Sequence, residues 1–159
     1  MSDLGLVPLA ALAAPEGEEP LFSQAWHVVR DDFEHGGEVA AGIKLVLRDL
    51  GVAPELIRRL SIANFEAEMN VIMYADEADV TLEVYERAVY VTIADRGPGI
   101  PDVGLALQEG WSTATPQMRA RGFGAGLGLP NIRRNADAFA IETTVGRGTT
   151  LRYRVDLGP

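Results

Sequence analysis

Glu66 and Asn70 are polar residues four apart that interrupt a largely apolar helical stretch, so they share one face about one turn from each other. Asp95-Arg96-Gly97-Pro98-Gly99-Ile100 puts a carboxylate at the end of an alternating strand pattern and follows it with a glycine-rich turn. Gly122-Phe123-Gly124-Ala125-Gly126-Leu127-Gly128 is a second glycine run, and it opens a helix. Backbone N–H groups in such a run, with the positive end of a helix behind them, cradle phosphate. Gly146-Arg147-Gly148-Thr149 is a third glycine box, set between two strands. Each set alone has a bland reading as a satisfied polar pair, a loop or a flexible turn. Their order along one chain is what singles them out.

Composition narrows the chemistry. A length of 159 residues suits one domain with one core. A formal net charge of −9 argues against nucleic-acid binding, which needs a basic face. It leaves a nucleotide open, because a local cradle of N–H groups holds phosphate in an acidic protein. With no cysteine there is no disulfide framework, thiolate metal site or cysteine nucleophile. The two histidines, His27 and His35, are too few for a His-based zinc site and read as structural or solvated. No apolar run reaches the length of a membrane span. The apolar stretch from Leu4 to Ala14 lacks the basic start of a signal peptide. A cytoplasmic protein with no membrane or nucleic-acid partner is expected. Residues 1–20, ending in Pro15-Glu16-Gly17-Glu18-Glu19-Pro20, are expected to form a flexible or loosely docked tail, and residues 21–159 the folded domain.

The elements that must position these residues follow from periodicity. A strand is expected from Gln24 to Asp31 and a helix from Glu38 to Asp49, with Val39, Ile43, Val46 and Leu47 on one face and Gly51 as its stop. Pro54 starts a second helix that runs to about Ala75 and is apolar on more than one side. Glu68 lies about 200° round that helix from Glu66, which predicts a surface or interface charge. Val80 to Tyr85 and Val89 to Ile93 alternate as a hairpin, and Phe139 to Thr144 with Thr149 to Val155 as another. A helix from Pro130 to about Ala138 follows the second glycine run. Residues 102–121 read as a loop carrying Trp111, Arg119 and Arg121.

This ordered set resembles the ATP-binding domain shared by histidine kinases, DNA gyrase, the heat-shock chaperone ATPase and the mismatch-repair ATPase, over roughly residues 24–156. The run Glu66-Ala67-Glu68-Met69-Asn70-Val71-Ile72-Met73-Tyr74-Ala75 is most similar to the stand-alone anti-sigma and switch-protein serine/threonine kinases of that superfamily. The resemblance implies a two-layer α/β (α+β) sandwich of the Bergerat type, with a mixed, mostly antiparallel sheet and helices on one face. It implies ATP and Mg²⁺ as cofactors. Asn70 matches the residue that holds Mg²⁺, and Glu66 the general base. Asp95 matches the acceptor of the adenine amino group, with Gly97, Gly99 and Ile100 beside the base. Gly124, Gly126, Leu127 and Gly128 match the wrap around the triphosphate, and Gly122 adds a hinge. Thr149 matches the threonine that supports Asp95, and residues 102–121 the lid over the nucleotide.

The function implied is transfer of the γ-phosphoryl of ATP to a Ser or Thr of a small partner protein. The resemblance points to an antagonist of the STAS type, with a sigma factor or regulatory complex as second partner. A homodimer is compatible with the sequence. The alternative from the same residues is a non-catalytic module that senses ATP or ADP and regulates a partner by nucleotide-dependent binding. Slow hydrolysis without a protein acceptor ranks behind both.

Overall fold

Val80, Leu82 and Val84 alternate with polar neighbours, and in the computed structural model they, with Ala78, are the buried residues of strand β2 (Glu77–Val84). The structure describes residues 6–108 and 128–158. Strand β2 lies between β1 (Phe22–Val29) and β3 (Ala88–Arg96), and β3 pairs in turn with β5 (Gly148–Asp156), which pairs with β4 (Ala138–Thr144). The order is β1-β2-β3-β5-β4, and all four pairings are antiparallel. The sheet expected to be mixed is therefore wholly antiparallel among the described residues. Tight turns between β2 and β3 and between β4 and β5 impose that direction on two of the pairs.

Helices α1 (Glu38–Asp49) and α2 (Pro54–Tyr74) and the short helix α4 (Gly128–Arg134) share one core with the sheet, and α3 (Val103–Ala106) follows β3. The two-layer α+β sandwich is as expected. Helix α2 is central and packs on both α1 and α4. Ile43, Leu47, Leu60, Ile72, Ile132, Leu82, Val91, Phe139 and Val155 meet between the layers at 2% exposure or less, so the core is dry and close-packed. One polar pair crosses it. The Tyr153 hydroxyl donates to Asn64 Oδ1 at 2.5 Å, linking β5 to α2. Burial pushes the Tyr153 phenol up, so it stays protonated and able to donate.

Helix α4 is shorter than the expected span to Ala138. Asn135 Nδ2 donates back to the Asn131 carbonyl at 2.8 Å, and Asp137 N already donates to Arg154 O of β5 at 2.8 Å. The chain has joined the sheet edge before another helical turn can form.

Part of the stretch expected to be a tail is held on the sheet. Val7 N donates to Phe139 O at the outer edge of β4, and Leu9–Leu12 forms a 3₁₀ turn in which Leu12 is 1% exposed. Arg152 alternates with Leu151 and Tyr153, which face the helices, so it points to the opposite side of the sheet. There Arg152 Nε donates to Leu12 O at 2.6 Å, and Nη1 donates to Thr92 Oγ1 at 2.6 Å and Glu83 Oε1 at 3.0 Å. Its guanidinium lies 4.6 Å from the centre of the Tyr90 ring. Among the described residues, no helix is long and apolar enough to cross a membrane.

Candidate functional site

Asp95 is the next-to-last residue of strand β3, opposite Ala78, and after Arg96 the chain turns through Gly97 and Gly99. The β4–β5 turn fastens that segment. Thr149 N donates to Asp95 Oδ1 at 2.9 Å, Gly97 N to Arg147 O at 3.2 Å and Gly146 N to Pro98 O at 2.9 Å. Ile100 N donates to Thr143 Oγ1 at 2.9 Å, and Thr143 Oγ1 lies 2.8 Å from Thr149 Oγ1. Thr149 thus supports Asp95 through its main chain, while its hydroxyl faces Thr143. Gly99 has φ +76°, and a Cβ there would stand 2.6 Å from Thr144 O, so glycine is required on both counts. At Gly148 a Cβ would collide with the Asp95 carbonyl.

Asp95 is half-buried. Burial pushes its carboxyl up, opposed by the bond from Thr149 N–H and by the Arg96 charge. A carboxylate held at a strand end with one oxygen fixed by the protein is an acceptor of defined direction.

The second half of the site lies along α2 and α4. A Cβ on Gly128 would stand 3.1 Å from Asn70 Oδ1 and 3.2 Å from Nδ2. The last glycine of the second box therefore rests on the Asn70 amide, and a larger residue there would press on it. One turn earlier, Asn131 Nδ2 lies 3.4 Å from Glu66 Oε1, and Arg134 Nη1 donates to Asn131 Oδ1 at 2.9 Å. The two halves meet where α2 ends, since a Cβ on Gly97 would come within 3.0 Å of Ala75 Cα.

The site residues expected from sequence thus fall into two groups. Asp95, Gly97, Ile100 and Thr149 come together with the β4–β5 turn, and Gly99 packs into it. Glu66, Asn70 and Gly128 come together where α2 meets α4. Gly122, Gly124, Gly126, Leu127, Trp111, Arg119 and Arg121 lie outside the described residues.

Glu68 departs from expectation. It is 2% exposed, and its carboxylate accepts from the N–H groups of Gly37 at 3.0 Å, Val39 at 3.2 Å and Ala40 at 2.9 Å. It is the N-terminal cap of α1, supplied from another helix, and satisfies donors that α1 cannot pair internally. Two further residues were missed. Thr143 and Asn131 reach Ile100 and Glu66 across 43 and 65 positions, and no local pattern signals either contact.

The donors present suit a nucleotide with a hard cation. Among the described residues, no group of three or more acidic or histidine side chains is disposed to hold a metal ion. A cation here would use the Asn70 amide oxygen together with phosphate oxygens, which is the coordination Mg²⁺ favours. The glycine against that amide leaves room that a Cβ would fill.

The serine/threonine-protein kinase RsbT of Bacillus subtilis is 28% identical over 111 residues, covering 67% of this chain and 77% of that protein. An anti-sigma F factor of Caldanaerobacter subterraneus subsp. tengcongensis is 28% identical over 109 residues, covering 65% of this chain and 73% of that protein. The sequence pattern of the histidine kinase-, DNA gyrase B- and HSP90-like ATPases matches residues 56–159, from the first turns of α2 through β5. With that match over well more than half its length, the chain belongs to the histidine kinase-, DNA gyrase B- and HSP90-like ATPase family.

Proposed function

We propose that this protein is an ATP-binding regulatory serine/threonine kinase, which passes the γ-phosphoryl of ATP to a hydroxyl on a small partner protein. The observation that carries this reading is the convergence of Glu66, Asn70 and Gly128 on the C-terminal half of α2, with Asp95, fixed by Thr149, just beyond that same end. The similarity to RsbT, whose name states a serine/threonine kinase, supports the phosphoryl-transfer part. The proposed partners are a STAS-type antagonist as acceptor and a sigma factor or regulatory complex as second partner, in a cytoplasmic setting.

Each residue then has a task. Asp95 accepts from the adenine amino group and discriminates against guanine, which carries an oxygen at that position. The glycine turn at Gly97 and Gly99 lets the backbone run beside the base without a side-chain clash. Asn70 holds Mg²⁺ through its amide oxygen, and Gly128 with the start of α4 faces the phosphates. Mg²⁺, where bound, neutralises charge on the phosphoryl group being transferred. Glu66 takes the proton from the acceptor hydroxyl as its oxygen bonds to the γ-phosphorus. The bridging P–O bond to the β-phosphate breaks, and ADP is the leaving group. Asn131 orients the Glu66 carboxylate.

The test is labelling of purified STAS-domain antagonists with γ-labelled ATP, by wild type and by Glu66→Gln. Labelling that Glu66→Gln abolishes, with ATP affinity retained, supports the kinase. ATP binding without labelling of any acceptor would leave a nucleotide-sensing module instead.

A further inference from the structure

Beside the nucleotide site, α1 and α2 enclose a groove of about 640 Å³. Its wall is apolar, including Ile57, Ile62 and Phe65, and Phe65 is 39% exposed. Lys44 and Arg48 border it from α1 and Arg58 from α2, and all three are exposed. Elsewhere Arg30, Arg59, Arg96, Arg152 and Arg154 each sit in an ion pair, whereas none of the ion pairs among the described residues includes Lys44, Arg48 or Arg58, nor Arg87 or Arg147, which lie away from the groove. Three cations outside those ion pairs thus border one apolar groove on a chain of net charge −9. Glu66 also lines this groove. The nine residues from Arg58 to Glu66 span about 12 Å of helix, the length of a short peptide segment.

We infer that this groove is the docking site for the phosphoacceptor protein, and that its occupant is an acidic, amphipathic segment of that protein. The inference rests on the kinase reading and extends it to how the substrate is recognised. Acidic side chains of the partner lie over Lys44, Arg48 and Arg58, and its apolar side chains fill the space between Ile57, Ile62 and Phe65. A segment seated in this way delivers the neighbouring hydroxyl to Glu66. Exposed cations act mainly on encounter and specificity and apolar burial on residence, so affinity depends on both. A concave groove of this length fits a peptide segment better than a flat lipid surface, and the acidic remainder of the chain repels anionic lipid.

The test uses purified STAS-domain antagonists as probes, titrated calorimetrically into the full chain carrying a non-hydrolysable ATP analogue. Wild type is compared with Lys44→Glu/Arg48→Glu/Arg58→Glu and with the milder Lys44→Ala/Arg58→Ala. The expected result is antagonist binding at least tenfold weaker in the triple variant and intermediate in the double. ATP-analogue affinity is unchanged, and wild-type antagonist affinity falls steeply with salt. Equal antagonist affinity in wild type and triple variant overturns the inference. So does failure of every antagonist to bind wild type at low salt, or a charge-dependent affinity for anionic phospholipid vesicles in place of the antagonist. Binding through the groove without phosphoryl transfer would sink the kinase reading and leave the groove standing. Transfer that is insensitive to the triple reversal would do the opposite.

Discussion

The main-chain N–H of Thr149 donates to Asp95 Oδ1 at 2.9 Å, a single bond that spans 54 residues and aims the carboxylate. Asp95→Asn keeps the size of the side chain and replaces one acceptor oxygen with an NH₂ group. A hydrogen bond to a charged group contributes roughly 1.5–3 kcal/mol, so ATP affinity is expected to fall about 10- to 150-fold. Selectivity for ATP over GTP should disappear with it. Isothermal titration of ATP, ADP and GTP with Mg²⁺ reads both effects. Identical ATP binding by the two proteins would remove Asp95 from the nucleotide site.

The same carboxylate makes nucleotide binding pH-dependent with a defined sign. Burial raises its pKa above the ordinary 3.8, so it takes up a proton at a pH where exposed aspartates are still ionised. ATP affinity should therefore drop on acidification above that ordinary value, and Asp95→Asn should show no such drop. Stability runs the other way. The folded chain holds this proton more tightly than the unfolded chain, so the contribution of Asp95 to stability falls as pH rises from 3.8 through the folded pKa. At neutral pH without nucleotide, Asp95→Asn is expected to melt at or slightly above the wild-type temperature. A lower melting temperature would count against burial as the dominant cause.

Glu68 accepts from three main-chain N–H groups at the start of α1. Glu68→Ala strands those donors in a buried place, at a cost on the order of 3 kcal/mol. For a chain of this length that is a fall in melting temperature of roughly 6–12 °C. Glu68→Gln retains one acceptor oxygen and should lose less. Thermal denaturation of the three proteins gives the ranking, and equal stability of Glu68→Ala and wild type would contradict the cap.

Arg152 is expected to hold residues 6–12 in place. Arg152→Met removes the bond to the Leu12 carbonyl and leaves the mostly buried Glu83 without its cation. Hydrogen exchange at the Val7 amide should speed up by tenfold or more while exchange in β3 and β5 changes little. Unchanged protection at Val7 would mean that the Leu12 side chain alone keeps the segment down.

Much of the fold is legible in the chain. Alternation at Val80, Leu82 and Val84 and the spacing of Val39, Ile43 and Leu47 place strands and helices within a few residues, because each reports its own buried face. The pattern of Asp95 with Gly97 and Gly99 announces a tight turn at a strand end. What periodicity reports is an angle, not what stands at that angle. Glu68 points away from Glu66, as expected, but α1 rather than solvent occupies that side. Arg152 lies on the outward phase of its strand, where solvent is the ordinary neighbour, and the chain's own N-terminal segment is there instead. Thr143 and Asn131 serve residues far along the chain, so only the folded arrangement reveals them.

The two rims of the sheet differ. Along β4 the N-terminal segment has arrived, and Val7 already donates to Phe139. Along β1 the outer backbone groups meet no other strand among the described residues. A sheet open on both sides could add copies without limit, whereas one open on a single side is used up once a second copy has paired with it. Any assembly built by strand addition at this sheet would therefore close at two chains. A deletion that removes residues 1–12 would expose the second rim and turn a self-terminating pairing into one able to propagate.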